Sequence, residues 1–271
     1  MAAEAPPRVV LDSFTGLALT AAAANVVMQL SRLPIGRGVA ESKVDSGRVD
    51  KRPLKRARTT LAYIAVAMLG TEEERAAMRR EVNRQHRQVR AKEPVSYNAF
   101  DRELQLWVAA CLYVGVEMIY PLCSGPLSPA DRDALYRHGA RFGTTLQMPE
   151  EMWPADRDAF EEYWQKGMSE IKMDDVTRTY LQNLTDLKFL PAAVQRTLGP
   201  FHRMVTLGFL PEPFRDELGL PWTRRDQARF DRFTRRFGAI NRTMPGPVRR
   251  FPFNMYLWDT RRRIRHGRPI V

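Results

Sequence analysis

From Asn98 to Tyr120 the chain is apolar almost all the way round a helix, with Arg102 and Glu117 confined to one edge. A helix without a polar face has to be surrounded, so this stretch predicts a central helix wrapped by the remainder of the domain. The flanking sequence suits that task. Period-two alternation is nowhere sustained and strand-type runs are absent, whereas helical periodicity and helix-start signals recur. An all-α fold in a single domain is the expectation.

A first helix is expected over about Val9–Arg32, closed by Leu33-Pro34, and a Gly- and charge-rich connection then leads from Gly36 to Pro53. A second covers Leu54–Leu69 and ends at Gly70. Thr71 followed by three glutamates opens a third, with acids in the first turn where they favour the helix dipole, running to about Ala91. Ser128-Pro129-Ala130-Asp131 is a cap with proline at the first helical position. Further helices are expected over Pro154–Ile171, Asp174–Leu187 and Thr223–Arg242, and again after Pro247. Prolines 191, 200, 211, 213, 221 and 245 mark the joints. No repeat or long linker divides the chain. The N-terminal helix and the Arg-rich end read as peripheral extensions.

With 271 residues, 44% of them hydrophobic, the chain can bury a full core, which excludes a disordered chain or a small disulfide scaffold. The net charge of +12 admits nucleic acid, an anionic membrane or an acidic partner. The basic residues are 36 Arg and 7 Lys spread along the whole chain, which reads as genomic composition, so nucleic acid is not an expected partner. Cys111 and Cys123 form no CxxC pair, and two buried free thiols in a reduced compartment is the expectation. No convincing signal peptide is present: Arg8 is the only early basic residue and Asp12 interrupts the apolar run. Phe14–Leu30 is uncharged, but it is Ala-rich and carries Thr15, Thr20, Asn25 and Gln29, so a buried or interface-lying helix suits it better than a membrane span. These features point to a cytoplasmic protein, with peripheral membrane contact left open by the basic end at Arg249, Arg250, Arg261, Arg262, Arg263, Arg265 and Arg268.

Of the four histidines, His86 has the informative context. Met78, Val82, His86 and Val89 share one side of the third helix, and Arg80, Arg84 and Arg87 share the other. The pattern leaves open a core histidine bonded to a backbone carbonyl, or an axial ligand or general base in a buried pocket. No second histidine stands three or four residues away, so a multi-histidine metal site is unsupported; a single inward histidine suits a haem, whose porphyrin supplies four ligands. On the second helix Lys55, Thr59 and Tyr63 share a stripe with Val66, flanked by Arg56, Arg58 and Thr60, at the mouth of an apolar segment. Such a cluster is either an exposed helix start or a set of donors for haem propionates or bound dioxygen. No P-loop, GxGxxG turn or GxSxG elbow is present.

The order of motifs carries a resemblance. Lys55-Arg-Ala-Arg-Thr-Thr60 with Tyr63 is followed by Val82-Asn-Arg-Gln-His86-Arg-Gln-Val89, then Tyr97-Asn-Ala-Phe-Asp101, Leu104-Gln-Leu-Trp107-Val108, and Tyr120 ahead of Gly125-Pro-Leu-Ser-Pro129-Ala-Asp-Arg-Asp133. Together they resemble the MpaB-like oxygenase family, which includes the catalytic domain of rubber oxygenase (latex-clearing protein). The resemblance covers residues 25–220 and leaves 221–271 as a helical, Arg-rich C-terminal extension. It implies a globin-like helical core around a buried haem b, with dioxygen used on a long apolar or polyisoprenoid substrate, as in cleavage of isoprenoid C=C bonds. His86 matches the proximal iron ligand. The family's Arg and Thr positions fall on Arg56 and Thr60, or one residue earlier on Lys55 and Thr59, with Arg58 beside them. Tyr63, Asp101 and Trp107 are the accompanying cofactor-side candidates, although a cap and a core aromatic are ordinary readings of the last two. Many members carry His after the Trp-Val of the fourth helix, where this chain has Ala109. That departure motivates the alternative of a non-catalytic haem- or lipid-binding helical protein at a membrane surface.

Overall fold

The computed structural model describes residues 5–42, 48–93 and 95–270. The helices are α1 (Arg8–Ser13), α2 (Ala22–Leu30), α3 (Leu33–Ala40), α4 (Pro53–Leu69), α5 (Glu72–His86), α6 (Arg102–Ser124), α7 (Pro129–Gly139) and α8 (Arg141–Thr144). They continue with α9 (Arg157–Ser169), α10 (Asp175–Thr185), α11 (Ala192–Phe209), α12 (Glu212–Leu218), α13 (Arg224–Thr243), α14 (Gly246–Arg249) and α15 (Phe253–Arg265). The fold is all-α, as the sequence predicts.

The central helix is α6. Its Asp101 cap accepts hydrogen bonds from the Glu103 and Leu104 amides at 2.9 and 3.1 Å. Leu106, Trp107, Ala110, Cys111 and Tyr113 are buried along it, and α1, α2, α8 and α13 pack around it. It is long and apolar enough to span a bilayer, yet its apolar residues are largely consumed by these neighbours.

The N-terminal segment is not one helix. It breaks after Ser13, resumes as a 3₁₀ turn over Gly16–Ala21 and only then becomes α2. The Ser13 hydroxyl donates back to the Val10 carbonyl at 2.7 Å, and the break turns Phe14 edge-on to Phe253, with ring centroids 5.0 Å apart. The N-terminal helix α1 and the C-terminal helix α15 are therefore built into the core. The α15 helix lies along α4, burying Phe253, Leu257 and Thr260, and Arg249 pairs with Asp12 at 2.6 Å.

Leu33-Pro34, expected to end a helix, starts one. Proline in the first turn needs no amide hydrogen, and α3 follows where a connection was expected. Gly36 and Gly38 are packing glycines: a Cβ on the first would run into Thr177 and the Leu30 carbonyl, and one on the second into the Tyr97 ring. Pro200, expected at a joint, lies inside α11, a helix that the sequence pattern does not predict. The third helix also stops earlier than expected, at His86. The chain then leaves through a short antiparallel hairpin, Arg90–Ala91 against Tyr97–Asn98, where no strand was expected. Two-residue strands are too short to show alternation.

The closest helix packing in the fold is testable. At Gly238 of α13 a Cβ would collide with the Leu122 carbonyl of α6. Gly238→Ala is expected to lower unfolding free energy by about 1–3 kcal/mol, read as a shifted urea midpoint. An unchanged midpoint would mean that α13 does not seat on α6.

Candidate active site around His86

The consecutive helices α4 and α5, joined through Gly70 and Thr71, position the central residues. A capping box at Thr71 and Glu74 starts α5, and its inward stripe runs through Met78, which is fully buried, to Val82 and His86 in the last turn. Arg80, Arg84 and Arg87 face solvent, as the periodicity predicts. The Phe100 ring stands edge-on to the imidazole, with centroids 6.3 Å apart.

The histidines separate sharply by what they bind. His138 contacts the Met68 carbonyl at 2.7 Å and His202 the Thr185 carbonyl at 2.8 Å, and His266 is exposed. Nδ1 of His86 is buried with no hydrogen-bond partner. The backbone-tied arrangement of an ordinary core histidine is thus found at His138 and His202 but not at His86. Burial first, and the charge of Arg56 second, pull the His86 pKa down from 6.5 to about 4. The ring is neutral near pH 7 and keeps a lone pair available to a metal or a proton.

Arg56, in the first turns of α4, is the cation within electrostatic reach of His86. Burial lowers the pKa of its guanidinium, opposed by the phenol of Tyr180. Among the described residues it makes no ion pair. A partly buried guanidinium without a carboxylate is costly, and a ligand carboxylate would satisfy it. Its neighbours divide cleanly. Arg58 donates to the Ile270 carbonyl at 3.1 Å, towards the C-terminal tail, and the Thr59 hydroxyl returns to the Arg56 carbonyl at 3.0 Å. Lys55 and Thr60 are partly buried with no hydrogen bond among the described residues. Spacing of four places Arg56 and Thr60 on one face of α4.

The remaining sequence candidates hold the frame. The Tyr63 hydroxyl donates to the Phe142 carbonyl, tying α4 to α8, and burial raises its pKa. Asp101 is the α6 cap described above. Trp107 donates to the Met28 carbonyl at 3.2 Å, stacks on Trp164 at 5.2 Å and lies under the Arg32 guanidinium. Ala109 is fully buried in α6. Among the described residues no three His, Cys, Asp or Glu side chains converge on a point. A metal at His86 would have to bring further ligands with it; the imidazole without a hydrogen bond and the guanidinium without a carboxylate, among the described residues, are groups that an iron porphyrin carrying carboxylates would engage.

The sequence profile of the family described as "ER-bound oxygenase mpaB/B'/Rubber oxygenase, catalytic domain" matches residues 8–239. The chain belongs to this family. The match is wider than residues 25–220 and takes in α1 and most of α13. Two relatives, the uncharacterized proteins Mb2261 of Mycobacterium bovis and Rv2237 of Mycobacterium tuberculosis, are each 48% identical over 251 residues, covering 92% of this chain and 98% of theirs. No solved structure matches.

Within this oxygenase domain, several residues at the site escaped the sequence reading. Gln105 donates to the Gln147 side chain at 2.6 Å and to the Ala99 carbonyl at 2.9 Å, and Gln147 donates to Asn83, one turn before His86. These amides, far apart in sequence, lock the last turn of α5 to α6. Phe100 and Tyr180 were missed as well. Tyr180 lines a cavity of about 700 Å³ together with Ala40, Val176, Leu184 and Phe189, and its phenol lies within electrostatic reach of Arg56.

The depressed His86 pKa predicts a stability profile. The unfolded histidine takes its proton near pH 6.5 and the native one only near 4. Stability is therefore present above pH 6.5 and is lost as pH falls towards 4, by at most about 3 kcal/mol from this residue. His138 has the same depressed pKa and adds its own share. Denaturation at successive pH values is expected to show a His86→Leu variant with a shallower slope than wild type between pH 6.5 and about 5, above the range where the lowered carboxylates contribute. An unchanged slope would mean that the imidazole is solvated.

Proposed function

We propose that this domain is a haem b-dependent oxygenase that uses dioxygen on a long apolar substrate, with isoprenoid C=C cleavage as the leading reaction. The observation that carries the reading is the neutral, hydrogen-bond-free imidazole of His86 within reach of the unpaired Arg56 guanidinium. His86 would hold the iron and Arg56, with Lys55, would meet the haem carboxylates. The bound haem supplies the one-electron and dioxygen chemistry that side chains cannot.

The chain's own residues supply the setting. The buried wall of α5 keeps His86 unprotonated at neutral pH, so no proton has to leave before it binds a metal. Thr60, on the same face of α4 as Arg56, would offer a donor to negative charge developing at the site. The Tyr63 strut and the Asn83–Gln147–Gln105 chain hold α4 and α5 in register against α8 and α6. The cavity beside Tyr180 offers Val176, Leu184 and Phe189 to an apolar chain, with the charged Arg48, Asp50, Asp175 and Lys188 on the same wall.

The test is an optical titration of purified protein with hemin, beside His86→Ala and Arg56→Met. Wild type is expected to show a Soret band that is lost or displaced in His86→Ala, while Arg56→Met retains the band but binds hemin about tenfold more weakly, equivalent to about 1.4 kcal/mol. A folded, colourless wild type that takes up no hemin would overturn the proposal. A hemin complex that consumes no dioxygen with any isoprenoid or fatty-acid substrate would leave a haem-binding protein and not an oxygenase.

A further inference from the structure

Remote from His86, α13 carries seven arginines against two aspartates. Both acids are taken. Asp226 closes the capping box with Thr223, and Asp231 accepts from the Gln227 amide at 2.8 Å. Arg229 reaches Asp226 only at 3.9 Å, and Arg232 and Arg236 make no ion pair among the described residues. Like charges three and four residues apart repel, so nothing within the fold rewards this spacing.

The same helix face is apolar between its arginines. Phe230, Thr234, Gly238 and Asn241 point into the protein, and beside them a groove of about 410 Å³ runs between α11 and α13. Phe201, Met204, Phe233, Phe237 and Ile240 form its walls, with Arg229, Arg232 and Arg236 also lining it. Phe201 meets Phe233 edge-on at 5.2 Å, and Phe233 meets Phe237 at 5.6 Å. Phe201 is 46% exposed, Ile240 55%, and Leu198, one turn before Phe201, 54%.

Charge and apolarity together select the occupant. A nucleic acid would satisfy the arginines but gives Leu198 and Ile240 nothing to bury against. A small soluble anion would likewise leave them wet. An anionic bilayer satisfies both, because lipid phosphates meet the guanidinium groups while Phe201, Ile240 and Leu198 enter the acyl boundary. We propose that the α11–α13 groove is the face by which this protein lies against an anionic lipid bilayer.

The test is co-sedimentation of the full chain with phosphatidylcholine vesicles, with or without about one-third phosphatidylglycerol. The proposal expects binding to the anionic vesicles alone, weakened by raised salt. Arg232→Gln/Arg236→Gln should weaken binding roughly 30-fold. Phe201→Ser/Ile240→Ser should weaken it at least about tenfold, each variant keeping the wild-type circular dichroism and melting temperature. Arg80→Gln/Arg84→Gln, on the exposed side of α5, should bind as wild type does. The proposal is overturned if wild type ignores anionic vesicles, if both groove variants bind normally, or if the α5 variant weakens binding equally. Binding to duplex DNA or an acidic peptide in place of vesicles would also overturn it.

Discussion

The burial of α6 is the constraint on which the rest of this structure depends. A helix with no polar face can be stable in water only when other elements remove it from solvent, and here α1, α2, α8 and α13 do so. That demand explains why α1 and α15 are built in. The N-terminal segment breaks so that Phe14 can meet Phe253, and α15 lies along α4. The wrapping also fixes where α4 and α5 stand, because Tyr63, Arg79 and Gln147 tie that pair to the segment from α8 onward.

The candidate site holds an electrostatic deficit inside this frame. Buried polar groups in folded proteins nearly always find partners, and two of the other three histidines do so through backbone carbonyls. Among the described residues the His86 ring and the Arg56 guanidinium are left without them, one a neutral donor–acceptor and the other a cation with no counter-charge. Each is costly as it stands, and each becomes satisfied by a ligand that offers both a metal and a carboxylate.

Much of the helical architecture was legible. Capping signals at Thr71, Ser128 and Thr223 marked true helix starts, because a cap is a local hydrogen bond between neighbours in sequence. The inward direction of His86 was legible for a similar reason, since helical periodicity is local geometry. Errors arose where one residue type serves two purposes. Gly36 and Gly38 signalled a connection but permit close packing, Pro34 signalled an end but sits in a first turn, and Pro200 signalled a joint but lies within α11.

The sequence by itself determined the all-α class, the central place of α6, the side of α5 on which His86 lies and the family to which the chain belongs. Periodicity, capping and motif order are all properties of residues near one another along the chain. Tertiary structure alone decided that His86 lacks a backbone partner while His138 has one, that Arg56 comes within electrostatic reach of it while Arg58 turns to Ile270, and that Gln105 and Gln147 brace its helix. Those outcomes depend on which distant groups arrive at hydrogen-bonding distance, and no local pattern encodes that.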